Sequence, residues 1–193
     1  MDASVASAAR ASGLAAPDID TLRRAHALAM QPRIRILEDD HHPAYLHPGR
    51  SVLILLRDVG PLPVETLVVA AAHETQDSDL RVSAARVREA LGNAAAEIVE
   101  SLPLPGDERL LERLVTLDEG ARLAALAERL DQLRHAHLRD DLAGLWPAMH
   151  EEAGAAWLPV AERTHPGLAT RFRHWHGAFG RRLGTAPRSG GRP

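Results

Sequence analysis

The chain has 193 residues, enough for one domain of ordinary size, with 45% hydrophobic and 25% charged residues, a composition typical of globular proteins. It contains no cysteine and no lysine, which excludes disulfide scaffolds, thiolate catalysis, iron–sulfur clusters, zinc ribbons, Schiff-base chemistry and a P-loop lysine. The net charge of −3 argues against a general nucleic-acid binder, so histidine, present 11 times, is the residue left for metal binding or proton transfer near neutral pH.

The two ends of the chain differ from the rest in composition. Residues 1–17 are rich in Ala and Ser but lack the basic start and the solid apolar stretch of a signal peptide, so we expect a disordered lead-in there. Residues 184–193 are mostly Gly, Pro and Arg, which predicts a flexible tail. No apolar run approaches the roughly 18 residues of a membrane span. The sequence thus predicts one domain over 18–183, a cytoplasmic location and no membrane partner.

Apolar residues recur at helical spacing throughout this domain. The first predicted helix spans 18–30, and the next begins at Pro48, since Pro suits a first helical turn, and ends at Gly60. Further helices are predicted over 63–72, 83–91, 94–101, 107–117 and 118–138, followed by an amphipathic stretch over 142–183 with breaks at Pro147, Pro159 and Pro166. The chain is therefore predicted to be all-α, with six to nine helices in a single domain.

Some of these boundaries carry their own sequence signals. The run 67–72 is apolar all round, which predicts a buried helix, although its β-branched residues would also suit a short buried strand. Gly92 is expected to end the helix over 83–91. The segment 116–119 (Thr-Leu-Asp-Glu) resembles a capping box, and it predicts the start of the helix over 118–138.

Four side chains with metal-binding groups stand at helix ends or among apolar residues. His73 and Glu74 follow the most apolar helix, where polar groups cost free energy unless they are paired or bind a metal. His47 precedes a predicted helix start, and Glu128 lies on the Leu-rich helix. Two imidazoles and two carboxylates form a mixed nitrogen and oxygen site suited to Mn²⁺, Fe²⁺ or Zn²⁺. The ordinary alternatives are a helix end for His73 and Glu74, a turn for His47 and a solvated helix face for Glu128.

The order and surroundings of these residues resemble a known family. The segments 44–48 (Ala-Tyr-Leu-His-Pro), 68–74 (Val-Val-Ala-Ala-Ala-His-Glu), 91–99 and 126–134 (Leu-Ala-Glu-Arg-Leu-Asp-Gln-Leu-Arg) are similar to those of HD-domain phosphohydrolases. Within that family, they look most like the hydrolase domain of RelA/SpoT proteins and the small stand-alone (p)ppGpp hydrolases. The resemblance implies an HD-type helical bundle, one Mn²⁺ held by two histidines and two aspartates, and hydrolysis of the 3′-pyrophosphate of (p)ppGpp.

Carried over position by position, the resemblance implies that the metal ligands are His47, His73, Glu74 and Glu128. Asp77 matches the first member of the family's acidic pair and would orient or deprotonate the attacking water, while Ser78 replaces the second member. Gln132 stands at the position of a family asparagine, as a substrate contact. The family's Arg-Lys approach to the nucleotide is not recognisable here, and Arg33 and Arg35 are the basic candidates for contacting the substrate.

These departures from the family pattern leave different interpretations open. A glutamate carries the metal-binding group of aspartate on a longer stem, and two such changes in one site would move the metal or loosen its geometry. The leading hypothesis is a metal-dependent phosphohydrolase of the HD type that acts on a small phosphorylated nucleotide, with Mn²⁺ as cofactor. The alternative is a catalytically silent HD-fold protein that binds a nucleotide or a protein partner, and a third possibility is an unrelated helical bundle. The remaining histidines and the three tryptophans are interpreted mostly as structural or solvent-facing.

Overall fold

Eleven α-helices account for most of the residues that the structure, a computed structural model, describes, namely 1, 3–37 and 40–185. The helices are α1 (Ala3–Ala11), α2 (Ala16–Ile36), α3 (His47–Ile54), α4 (Val64–Ala72), α5 (Ala84–Leu91), α6 (Asn93–Ser101), α7 (Leu110–Thr116), α8 (Glu119–His135), α9 (Trp146–Glu152), α10 (Leu158–Thr164) and α11 (Pro166–Thr185). Short 3₁₀ and π-helical turns connect several of them, and these residues include no strand. The predicted all-α class is confirmed, and the run 67–72 is helical.

No helix in the described ranges combines the length and the apolar character that crossing a bilayer requires.

The centre of the molecule is formed by α4 and α8, which pack against each other. Every residue from 66 to 72 is buried, because α2, α3, α6 and α8 surround α4. The two central helices approach closely near their starts, where a Cβ on Gly120 would lie 2.6 Å from Thr66 Oγ1. In α8 the buried residues include not only leucines and alanines but also Glu128, Arg129 and Asp131. Buried charges need partners, so other polar or charged side chains have to lie next to this part of α8.

A helix lies within residues 1–17, where the sequence predicts a disordered lead-in. Residues 3–11 form α1, which packs on α2 and α3 and buries Val5, Ala6 and Ala9. Val5 and Ala9 are four residues apart and therefore share one helix face. The amphipathic pattern of α1 is weak in the sequence because its buried face consists of small residues. Such residues bury little apolar surface, so the helix depends on packing against its neighbours. Of the predicted tail, only Gly184 and Thr185 fall within the described residues, where they end α11.

Several helix boundaries differ from the predicted ones. The predicted end of α2 at residue 30 is wrong, because the helix continues through Pro32. The cap of α8 is Asp118, whose carboxylate accepts a hydrogen bond from the Ala121 amide at 2.7 Å, whereas Thr116 is the last residue of α7. Gly92 ends α5 as predicted, with φ of +91°, a conformation that glycine adopts without steric cost.

Three prolines of the last third of the chain lie at helix starts. Pro147 and Pro159 lie in the first turns of α9 and α10, and Pro166 opens α11. A π-helical turn over Ala153–Trp157 joins α9 to α10. Together with α1, these separate helices raise the number above the predicted six to nine.

Candidate metal centre

Three helices bring the four predicted ligands into the interior. His47 is the first residue of α3, His73 and Glu74 follow the last residue of α4, and Glu128 lies in the middle of α8. All four side chains are buried, with at most 5% of their surface exposed. Packing of α3 and α4 against α8 therefore places residues from distant parts of the sequence around one point.

Two imidazole nitrogens face Glu128. His47 Nε2 lies 3.6 Å from Glu128 Oε1, and His73 Nδ1 lies 3.9 Å from Glu128 Oε2. Both nitrogens are buried and make no hydrogen bond within the described part of the chain. One ligand atom from each of His47, Glu74 and Glu128 lies within 4.8 Å of the others. His73 lies outside this group of three, although its Nδ1 faces the other oxygen of the Glu128 carboxylate.

These residues fit a divalent cation. Ligand atoms about 2.1 Å from one ion lie roughly 3–3.4 Å apart, so the imidazole–carboxylate distances of 3.6 and 3.9 Å exceed those of a shared ion by about 0.2–0.9 Å. A buried polar atom without a partner costs about 1–3 kcal/mol, so two of them facing one carboxylate are expensive unless an ion or a proton joins them. Imidazole together with carboxylate suits Mn²⁺, Fe²⁺ and Zn²⁺. The geometry therefore identifies a group of residues that can hold a metal ion, and it does not specify which metal.

Asp131 fixes the orientation of His47. Its Oδ2 accepts a hydrogen bond from His47 Nδ1 at 2.8 Å, which turns Nε2 toward Glu128. Arg50 holds Asp131 in turn, through Nε at 2.9 and 3.1 Å and Nη2 at 3.0 Å. A carboxylate that orients a ligating histidine is a recurrent feature of metal sites. Asp131 was not among the predicted site residues, although it is fully buried; its position three residues after Glu128, on the same face of α8, is the signal that could have found it.

The same contacts set the charges of this pair. Burial disfavours the protonated imidazole, but the hydrogen bond to Asp131 and the nearby negative charge of Glu128 outweigh it and raise the pKa of His47 to about 10. Burial would raise the pKa of Asp131, but His47 and Arg50 hold it at about 2. Burial lowers the pKa of His73. Without a metal at neutral pH, His47 is therefore a cation between two carboxylates, and His73 is neutral.

Glu74 is held from two directions. Its Oε2 accepts a hydrogen bond from Arg33 Nη2 at 2.5 Å, and its Oε1 accepts from the amides of Gln76 and Asp77 at 2.9 and 3.2 Å. Gln132 Nε2 donates to the same Oε1 at 2.9 Å. The loop after α4 thus folds back around its own carboxylate, and α2 supplies the compensating charge.

The predicted substrate contact Arg33 has a different role. Its side chain is buried, and besides Glu74 it donates to the backbone carbonyls of Ala44 and Ala29 at 2.8 and 2.7 Å. Each of the three guanidinium nitrogens of Arg33 therefore donates a hydrogen bond within the protein, and we assign Arg33 to positioning Glu74. Arg35 is exposed and lines a cleft beside α5, away from the residues that surround His47. The structure does not bring Arg35 to the site.

Gln132 and Thr75 connect the two carboxylates of the centre. Gln132 Nε2 donates to Glu128 Oε1 at 2.5 Å in addition to Glu74. The Thr75 amide and hydroxyl donate to Glu128 Oε1 at 3.0 and 2.9 Å. Gln132 was predicted to contact substrate, and it does border the cavity beside His47. Thr75 was missed, since a threonine after a His-Glu pair has no distinctive sequence signal.

Asp77, the predicted catalytic residue, borders the same cavity but is paired. Arg139 Nη1 and Nη2 donate to its two carboxylate oxygens at 2.9 and 3.0 Å, and Arg139 also contacts Asp141. These hydrogen bonds, first to Asp141 and then to Asp77, raise the pKa of Arg139, so the guanidinium stays charged. Arg139 and Arg50 are the arginines that reach this cavity. They were missed because one lies just beyond α8 and the other within α3, with nothing to distinguish them from other arginines.

The cavity between these residues is small. His47, Glu74, Asp77, Asp131 and Gln132 are among the residues that line about 30 Å³ of space. A buried water needs roughly 10–15 Å³ on this measure, so the cavity has room for about two waters beside the ligands. A nucleotide does not fit in this conformation, and entry of one would require the Asp77–Arg139 side of the cavity to open.

No model of a known protein family matches the sequence, and no curated protein matches it either. The buried group His47, Glu74 and Glu128, which could hold a metal ion, therefore stands on its own geometry.

Proposed function

We propose that the protein is a divalent-metal-dependent phosphohydrolase of the HD type, acting on a small phosphorylated nucleotide such as (p)ppGpp. The observation that carries this proposal is the pair of unpartnered nitrogens, His47 Nε2 and His73 Nδ1, that face the buried carboxylate of Glu128. The cavity that His47 and Glu74 border is also lined by Arg50 and Arg139, whose positive charges suit phosphate chemistry. The motifs that resemble the HD family supply the reaction and the substrate class.

The site residues have two roles: some would hold the cation, and others would act on the substrate. His47, His73, Glu74 and Glu128 would hold the cation, with Mn²⁺ favoured by the family resemblance. A bound cation supplies Lewis acidity, which polarises a phosphoryl oxygen and lowers the pKa of a coordinated water. Asp131 keeps His47 in the ligating orientation, as the 2.8 Å hydrogen bond indicates.

The reacting groups surround the cavity. Arg50 and Arg139 would neutralise the charge that develops on the phosphate. Asp77 would accept the proton of the attacking water as the P–O bond to the leaving group breaks. Because Asp77 is bound by Arg139, an incoming phosphate has to compete for that guanidinium, which would free the Asp77 carboxylate.

The test combines metal content with turnover. We expect the purified protein to bind one Mn²⁺ per chain and to release pyrophosphate from (p)ppGpp, and we expect Glu128→Gln to abolish both. Glu119→Gln, an exposed glutamate at the start of α8, is the matched control and should retain both. Absence of bound metal after Mn²⁺ addition would refute the proposal, as would metal binding without hydrolysis of (p)ppGpp or of a panel of nucleotides.

A second candidate function is a catalytically silent protein that binds a metal and a nucleotide. The observation in its favour is the state of Asp77, whose two carboxylate oxygens are both taken by Arg139 beside a cavity of about 30 Å³. A nucleotide that binds in the presence of Mn²⁺ and is recovered intact would identify this function.

A further inference from the structure

Two adjoining clefts lie along the last turn of α8 and along α11, and Arg50 is the lining residue that they share with the cavity beside His47. The larger one has a volume of about 580 Å³ and lies between the end of α8 and α11. The smaller one, of about 310 Å³, extends from there along α3 and the π-helical turn that follows it. Arg134 and Arg171 line both clefts, so the two form one continuous depression, which we call the basic cleft.

The basic cleft concentrates positive charge in a chain of net charge −3. The basic residues that line it are Arg50, which is paired with Asp131, and Arg57, Arg134, Arg171, Arg182, His137 and His174. The acidic residue among its lining residues is Asp58, which pairs with Arg171 at 2.8 Å. Arg57 and Arg134 are exposed and form no ion pair with the described residues. Positive charge left uncompensated in a concave surface attracts an anion.

The wall of the cleft along α11 combines this charge with apolar surface. Residues 171, 174, 175, 178, 179 and 182 follow the helical spacing of three and four and therefore share one face. Trp175 and Phe179 stack with ring centroids 4.8 Å apart and are mostly buried, so a small part of each side chain is exposed in the cleft. A ligand there meets guanidinium groups beside an apolar strip, in a volume within the range of about 300–1,000 Å³ that small-molecule sites have.

We propose that the basic cleft is a binding site for a small phosphorylated ligand of the nucleoside phosphate class, separate from the metal centre. Its phosphates lie against Arg134 and Arg57, since unpaired guanidinium groups bind phosphate oxygens through fork-shaped hydrogen bonds. Its base or sugar packs against the α11 strip formed by Trp175, Ala178 and Phe179. Binding at this site does not require a metal.

The experiment measures GTP binding by calorimetry with EDTA present, so that the metal centre makes no contribution. We expect GTP to bind the wild type and Glu128→Gln with equal affinity. Arg134→Ala should weaken binding about tenfold or more, the usual effect of removing a charged hydrogen bond, and adding Arg57→Ala should weaken it further. Arg163→Ala is the matched control, because Arg163 is exposed, outside the cleft and unpaired within the described residues; it should leave GTP affinity unchanged.

Several results would overturn the proposal. They are an absence of GTP binding, equal weakening by Arg163→Ala and Arg134→Ala, and loss of GTP binding in Glu128→Gln, which would place the ligand at the metal centre. Inorganic triphosphate that binds as tightly as GTP would refute the role of the α11 strip. An oligonucleotide that binds more tightly than GTP would identify the basic cleft as a nucleic-acid surface instead. Thermal unfolding of each variant confirms that it is folded.

Discussion

His47 shows why individual side chains in this centre depend on their neighbours. One ring nitrogen donates to Asp131, and the other faces Glu128 without a hydrogen bond. An imidazole without such a partner can rotate and can carry its proton on either nitrogen, and both freedoms weaken metal binding. Asp131 removes these freedoms, and Arg50 keeps Asp131 ionised and in place.

Replacing Asp131 tests this role directly. We expect Asp131→Asn to lower the affinity for Mn²⁺ by about 10–100-fold, because the amide holds the imidazole less firmly and makes it less basic. Calorimetric titration with Mn²⁺ measures the effect, and thermal unfolding without metal verifies that the variant is folded. Asp140→Asn, at an exposed position beyond α8, is the control and should bind Mn²⁺ like the wild type. Equal affinities of Asp131→Asn and the wild type would contradict the orienting role.

The raised pKa of His47 predicts how metal binding depends on pH. With a pKa of about 10, His47 carries a proton at neutral pH that a cation has to displace, whereas His73, with a lowered pKa, is already neutral. Apparent Mn²⁺ affinity should therefore rise about tenfold per pH unit over the neutral range and level off above the pKa of His47. The carboxylate of Asp131, with a pKa of about 2, is ionised throughout this range and contributes nothing to the slope.

Calorimetry in buffers of different ionisation enthalpy checks this prediction, because it counts the protons released. One proton per Mn²⁺ is expected near neutral pH. A pH-independent affinity without proton release would show that His47 is not protonated in the metal-free protein.

At the scale of the elements, the centre depends on how helices are held together around it. α3, α4 and α8 carry the ligands, and α2 contributes Arg33, which connects α2 to the loop at Ala44 and to Glu74. A buried ion pair keeps its low energy only at hydrogen-bond distance, so it favours one arrangement of the segments that carry the two charges. Arg33 thus sets the position of the segment after α4 relative to α2.

Arg33→Met should lower the free energy of unfolding by about 3–5 kcal/mol, because it leaves the buried Glu74 carboxylate without its compensating charge. Urea denaturation in the presence of EDTA measures this effect. Arg35→Met, two residues further along the same helix but exposed, should change the free energy of unfolding by no more than about 0.5 kcal/mol. If both variants unfolded at the same urea concentration, the assignment of Arg33 to a structural role would be wrong.

At the scale of the whole molecule, the metal would connect parts of the chain that are far apart in sequence. The ligand positions 47, 73, 74 and 128 come from three helices that are adjacent only in the folded state. An unfolded chain does not hold four such groups together, so a cation binds the folded state preferentially and stabilises it.

Mn²⁺ at about 100 times its dissociation constant should stabilise the fold by about 2.7 kcal/mol, which corresponds to a rise in Tm of roughly 5–10 °C for a domain of this size. Scanning calorimetry with and without Mn²⁺ measures the shift, with Mg²⁺ as a comparison ion. The Glu128→Gln variant should show no shift. A similar rise in both proteins would indicate binding elsewhere on the surface.

The helical class was predictable from the sequence because it depends on local patterns. Apolar spacing identified α4 and α8, proline and glycine marked several ends, and a cap at Ser83 agrees with the predicted start of α5. Helix α1 was not predicted, because its apolar face consists of small residues that give a weak sequence pattern. The Arg33 and Arg35 assignments rested on residue type, and every basic residue of this chain is an arginine. Type alone cannot distinguish a buried guanidinium from an exposed one.

By itself, the sequence determined the all-α class, the absence of thiol and lysine chemistry, and the residues with metal-binding groups at helix ends, because these depend on composition and short-range spacing. Only the tertiary structure decided which groups converge. It brought His47, Glu74 and Glu128 together, assigned Asp131 to His47 and Arg33 to Glu74, and paired Asp77 with Arg139. The physical reason is that burial and partner choice arise from packing between distant segments, which a linear pattern does not encode.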